Sequence, residues 1–154
     1  MALAKLPRAV RNQNPGNIER GHDDWAGLCE PDQMTADQRE EKRFCVFRNA
    51  RYGFRALAVI LHNYFTKHDI KTVRGIINRF APASENNSEA YIKHVCDAIG
   101  EGPDSVLDMN DPETIKELCR AIAVHESGGW FFEQKDLDDG VGMALSTRVP
   151  KLIS

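Results

Sequence analysis

Between Asp111 and Gly129 the chain carries a full set of helix boundary signals, and that stretch limits the possible folds more than any other. Asp111 suits an N-cap, Pro112 the first helical position, and Glu113 the positive end of the helix dipole. Ile115, Leu118, Cys119 and Ile122 recur at helical spacing, so this helix must bury one face, and Gly128-Gly129 stops it. Four further patterns of the same kind accompany it. Phe54, Leu57, Ala58, Leu61, Tyr64 and Phe65 predict a helix over residues 52–68. Thr72 caps a segment whose Val73, Ile76, Ile77 and Phe80 share a face before Pro82 ends it. Ser88 opens another, with Tyr91, Val95 and Ile99 on one stripe and Gly100 at its end. Leu137, Val141, Ala144 and Leu145 mark a last helix over roughly residues 135–146.

The region before these helices reads differently. Its first 25 residues or so are rich in Arg, Asn, Gly and Pro, notably Asn12-Gln13-Asn14-Pro15-Gly16-Asn17-Ile18, and predict loop. The charged stretch between Asp23 and Arg43 reads as an exposed excursion. Arg43-Phe44-Cys45-Val46-Phe47-Arg48 has the β-branched and aromatic content of a short strand. The expectation is a mostly α (α+β) fold of about five helices, with a small β element near residues 23–48. A length of 154 residues suits a single domain over residues 1–154, and 42% hydrophobic content excludes wholesale disorder.

Composition narrows the function only slightly. The net charge of −3 hides a basic first half, with 14 Lys and Arg against 9 Asp and Glu in residues 1–80. Residues 81–154 hold 6 against 14. A basic half suits an anionic polymer such as cell-wall glycan or simply solvated helix faces, and no basic run marks a nucleic-acid arm. Cys29, Cys45, Cys96 and Cys119 form neither CxxC nor zinc spacing, so they read as reduced, largely core residues. No cofactor or metal is implied. No apolar run reaches the ~20 residues of a membrane span, and no export signal is evident. Synthesis in the cytoplasm is therefore expected.

Glu126 is the first candidate for chemistry. It lies on the last turn of the apolar helix, where the dipole gives a carboxyl no help, beside two glycines that permit close approach of a polymer. Partial burial of a carboxyl raises its pKa, as a general acid requires. The same position also suits an ordinary surface glutamate. Trp130, Phe131 and Phe132 beside it suit sugar stacking, though core anchorage is the better reading for at least two of them. Glu85 sits in the loop between two helices and is the second candidate. Asn14 and Asn17, flanking Pro15-Gly16, suit either acetamido recognition or a turn held by side-chain amides. Nucleophile elbows, phosphate loops and dinucleotide fingerprints are absent, and His125-Glu126 lacks the second histidine of a zinc-protease helix.

Taken as a set, several blocks resemble a family of small phage and prophage proteins, virion components or lysins with lysozyme-like, peptidoglycan-degrading domains. The blocks are Arg11–Ile18, Trp25-Ala26-Gly27-Leu28, Phe44–Phe47, Tyr52-Gly53-Phe54-Arg55-Ala56, Ile76–Pro82, Glu85-Asn86 and His125-Glu126. The resemblance covers roughly residues 10–145. More loosely, Asn14–Ile18, Phe44–Phe47 and Glu85–Tyr91 are similar to later blocks of bacterial glucosaminidases, with the Glu126-Ser127-Gly128 turn last instead of first. The Glu-Ser pair also resembles that of lytic transglycosylases, although Ala144 stands where those enzymes carry glutamine. The resemblance implies a lysozyme-like domain that cleaves the β-1,4 bond between N-acetylmuramic acid and N-acetylglucosamine. It makes Glu126 the acid and Glu85 a second carboxylate, with Asn14, Asn17, Trp25, Tyr91 and Ser127 as glycan contacts. Bacterial peptidoglycan, and other virion or tail proteins, are the implied partners, with action at the cell wall. The alternatives are a non-catalytic virion protein that binds the wall and a stem-peptide endopeptidase.

Overall fold

The computed structural model describes residues 6–81 and 87–146. Its long helices are α3 (Ala50–His68), α4 (Val73–Phe80), α5 (Ser88–Ile99), α6 (Pro112–Ser127) and α7 (Gln134–Ser146). These are the five that the apolar spacing predicts. Two helices too short to show a period, α1 (Arg8–Arg11) and α2 (Ala36–Arg39), precede them, with a 3-10 turn at Pro31–Gln33. The fold is mostly α.

Local chemistry sets the helix ends. The side chains of Asn49, Thr72, Asn87 and Asp111 each accept a backbone N–H from the first turn of α3, α4, α5 and α6. Gly100 and Gly128 close α5 and α6 in the left-handed conformation, and Asp69 does so for α3. α3 lies at the centre and packs most extensively on α7. That approach depends on Gly140, where a Cβ would meet the carbonyl oxygen of Arg51 at 2.5 Å and Cβ of Phe54 at 2.6 Å. Phe54, Leu57, Leu61, Ile76, Tyr91, Ile115, Leu118, Ile122 and Leu137 are fully buried in the resulting core. Trp130 and Phe132 pack with Phe54, at ring-centroid distances of 6.0 and 5.4 Å, whereas Phe131 is half exposed. All four cysteines are free, with Cys45, Cys96 and Cys119 buried.

The expected β element is corrected. Among the described residues, segment 43–48 forms no strand, only isolated antiparallel bridges, Glu19 to Phe44 and Leu28 to Phe47. Its backbone is nevertheless well paired on both edges. Cys45 N–H donates to Ile18 and Phe47 N–H to Asn12, while Arg48 N–H donates to Gly27 and Val46 accepts from Cys29. Each neighbouring loop runs alongside for too few residues to build a ladder.

The exposed excursion is corrected at one residue. Glu41 is buried, and its carboxylate accepts both Nε and Nη2 of Arg8 at 2.7 Å and Nδ2 of Asn12 at 2.9 Å. It also accepts the backbone N–H groups of Arg43 at 2.9 Å and Phe44 at 3.0 Å. The Arg8 guanidinium, helped by these N–H groups, holds its carboxyl well below the usual carboxylate range.

Candidate functional site

The loop after α1 turns sharply because Gln13 and Asn17 both adopt left-handed backbone, with φ of 53° and 48°. Asn14 locks this turn from inside. Its Oδ1 accepts Ile18 N–H at 2.9 Å, and its Nδ2 donates to the carbonyls of Ile18 and Cys45, both at 3.0 Å. The side chain of Asn17 is thereby aimed at the end of α6. Asn tolerates this backbone better than most residues.

Glu126, on the last turn of α6, receives a donor on each oxygen. Nδ2 of Asn17 donates to Oε1 at 2.9 Å, and the hydroxyl of Tyr91 donates to Oε2 at 2.7 Å. Three elements distant in sequence thus fix one carboxyl. The Asn17 amide nitrogen can only donate, so Oε1 is the acceptor in that bond, whereas the Tyr91 hydroxyl can pair with Oε2 whether or not that oxygen carries a proton. A carboxylate offers about four acceptor positions, so two remain for a ligand. Oδ1 of Asn17 is buried without a partner among the described residues, a cost of about 1–3 kcal/mol that the local fold tolerates while aiming the amide at Glu126.

Behind the carboxyl, Tyr91 is fully buried and stacks on His125, with centroids 3.7 Å apart and planes 23° from parallel. Burial, reinforced by the charge of Glu126, pushes the Tyr91 phenol well up from its ordinary value. His125 Nδ1 lies 2.8 Å from Nδ1 of His94. That contact is a hydrogen bond only if one of the two nitrogens carries a proton and the other does not. Burial, with the neighbouring His94, pushes the His125 pKa down, against a smaller opposing pull from Glu126.

Glu126 opens on a cavity of about 440 Å³. Gly16 to Glu19 line one side, with Arg43 and Phe44; Ile60 and Tyr64 of α3 and Arg79, Phe80 and Ala81 line the rest. Arg43 binds Oε1 of Glu19 through Nε at 2.8 Å and Nη2 at 2.6 Å. Of the residues singled out in the sequence, Glu126 and Asn17 meet at this cavity and Tyr91 supports them from beneath. Asn14 is completely buried and its amide is consumed by backbone, so it shapes the loop and is not placed to touch a ligand. Trp25 packs half-buried against the core and is not part of the cavity lining, and Ser127 is buried. Glu85 lies outside the described residues. Glu19, Arg43, Tyr64 and Arg79 were not anticipated. Only the clustering of basic residues in the first half of the chain hinted at the two arginines.

Among the described residues no group of three or more His, Cys, Asp or Glu is placed to hold a metal, and no helix is long and apolar enough to cross a membrane. The fold and the site together define a small, mostly helical protein with a tethered carboxyl facing an open cavity. Over 126 residues, 82% of this chain, it is 38% identical to Protein P5 of Pseudoalteromonas phage PM2, and the match takes in 74% of that protein. The chain belongs to the family of that phage protein. No family model matches it.

Proposed function

We propose that this protein is a lysozyme-like peptidoglycan hydrolase that cleaves the β-1,4 bond between N-acetylmuramic acid and N-acetylglucosamine. The observation that carries this reading is Glu126, held on both oxygens by Asn17 and Tyr91 at the wall of an open cavity. In this reading Glu126 gives its proton to the glycosidic oxygen as the bond from C1 breaks. The oxocarbenium-like centre is captured by the sugar's own 6-hydroxyl, whose proton returns to Glu126, or by water. Glu19 is a second carboxylate of the cavity itself, held in an ion pair with Arg43. The protein would be made in the bacterial cytoplasm and act at the wall, carried by a virion or released at lysis; membership of a phage family supports that setting.

A second reading has its own support. A carboxyl bonded on both sides also ties α6 to α5 and to the first loop, as expected of a non-catalytic virion protein that binds the wall. Turbidity of purified murein separates the two. The wild type should clear the suspension and Glu126→Gln should slow clearing at least ~100-fold. A folded wild type that clears nothing refutes the enzyme reading. Mass spectrometry of the products then distinguishes anhydro-muramyl ends, reducing ends and cut peptides, the last of which would indicate an endopeptidase.

A further inference from the structure

The two arginines of the Glu126 cavity are not equivalent. Arg43 is neutralised by Glu19 within it. Arg79, on the last turn of α4, is exposed and has no carboxylate partner among the described residues. Its Cζ lies 5.5 Å from the centroid of the Tyr64 ring, and its Nη2 approaches His68 Nε2 at 3.4 Å, a long contact that leaves most of its five donors unused. Tyr64 is half-buried, and its hydroxyl makes no hydrogen bond to a described residue. A basic residue at a helix C-terminus is favoured by the dipole alone. Yet Arg74, one turn and a half earlier on the same helix, is paired with two carboxylates, Asp104 at 2.9 Å and Glu89 at 3.0 Å. Two carboxylates meet the arginine that faces away from the cavity, and among the described residues none meets the one that lines it.

We propose that Arg79, backed by Tyr64, is an anion subsite that takes a free carboxylate of the ligand. The planar guanidinium presents paired donors matched to a carboxylate, and the aromatic ring limits the orientations it can adopt. Resting on the reading of the cavity as a glycan site, this subsite selects strands that bear stem peptides, which carry free carboxylates, over uncharged N-acetylated glycan.

Binding of the disaccharide GlcNAc–MurNAc-tetrapeptide, which lacks the bond to be cleaved, tests this by calorimetry against the same compound with its carboxylates amidated. Wild type should bind the acid form about five- to tenfold more tightly, a preference that shrinks with added salt. Arg79→Gln should bind both forms alike, and Arg79→Lys should retain part of the preference. Equal binding of the two forms by wild type, or an unchanged preference in Arg79→Gln, overturns the subsite. If murein is cleared while the preference is absent, the subsite alone fails. If the acid form is preferred through Arg79 while murein is not cleared, the subsite stands and the enzyme reading falls. Binding of neither form overturns the subsite whatever the clearing assay gives.

Discussion

In residues 8–48 polar side chains do the joining, whereas in the helices from Ala50 onward apolar faces do. The first region gathers around two buried polar centres, Glu41 and Asn14, which together bind seven distinct hydrogen-bonding groups on side chains and backbone. The second supplies most of one continuous apolar cluster, from Ala50 to Ala144, to which the first adds only Ile18, Cys45 and Phe47 as buried members. The contrast follows from composition. A loop-rich layer cannot cover its own N–H and C=O groups with regular structure, so buried carboxylates and amides must do it. Helices satisfy their own backbone and are free to spend their side chains on packing. The candidate site lies where the two meet, with Asn17 supplied by the first region and Tyr91 and Glu126 by the second.

Trp25 sits in the first region and Trp130 in the second, so fluorescence of the single-tryptophan forms reports on each separately. Phe54→Ala empties the centre of the helical core and should cost about 3–5 kcal/mol, with both signals lost together in urea. Glu41→Ala leaves the Asn12 amide and two backbone N–H groups unpaired in a buried place. Because Arg8 is partly exposed and can hydrate, the expected cost is about 2–3 kcal/mol. The Trp25 transition should then precede that of Trp130; coincident transitions would show that the layer has no independence.

At the junction, Tyr91→Phe and Asn17→Ala each remove one donor from Glu126. Each should lower murein clearing about tenfold and stability by about 1–2 kcal/mol. Their double variant should be less than additive, since both act through one carboxyl.

The smallest effects are those of pH. His125 binds protons less readily folded than unfolded, because burial and His94 disfavour its charge. Its contribution is therefore complete above the ordinary value of 6.5 and declines as pH falls through that value toward the lower folded one. The carboxyl of Glu41 is also depressed, so its contribution is present above the ordinary 4.5 and is lost only in stronger acid. Thermal melts should weaken first below about pH 6.5 and again below about pH 4.5, with the second step absent in Glu41→Gln.

The helices were legible because their signals are local. Asp111, Pro112 and Gly128 act on neighbours within one turn, and the apolar stripes of α3 to α7 need only a sequence window. For the same reason Glu126 could be placed on a final helical turn beside a glycine stop. The strand expected at residues 43–48 failed because β structure needs a partner of matching length, which its composition does not report. Glu41 was hidden because nothing adjacent to it distinguishes a buried glutamate from its exposed neighbours Glu40 and Lys42.

By itself, then, the sequence determined a mostly helical chain, the ends of its helices and a carboxyl at one of them. The tertiary structure alone decided what meets that carboxyl. Asn17 lies 109 positions from Glu126 and Tyr91 lies 35 away, while Arg8 reaches Glu41 across 33. It also turned Asn14 inward, set Tyr91 beneath the site, and brought Glu19 and Arg79 to the same cavity. Helix caps and stripes are decided by bonds a few residues long. These contacts arise only once helices and loops have packed, and which side chains then face one another depends on the whole fold.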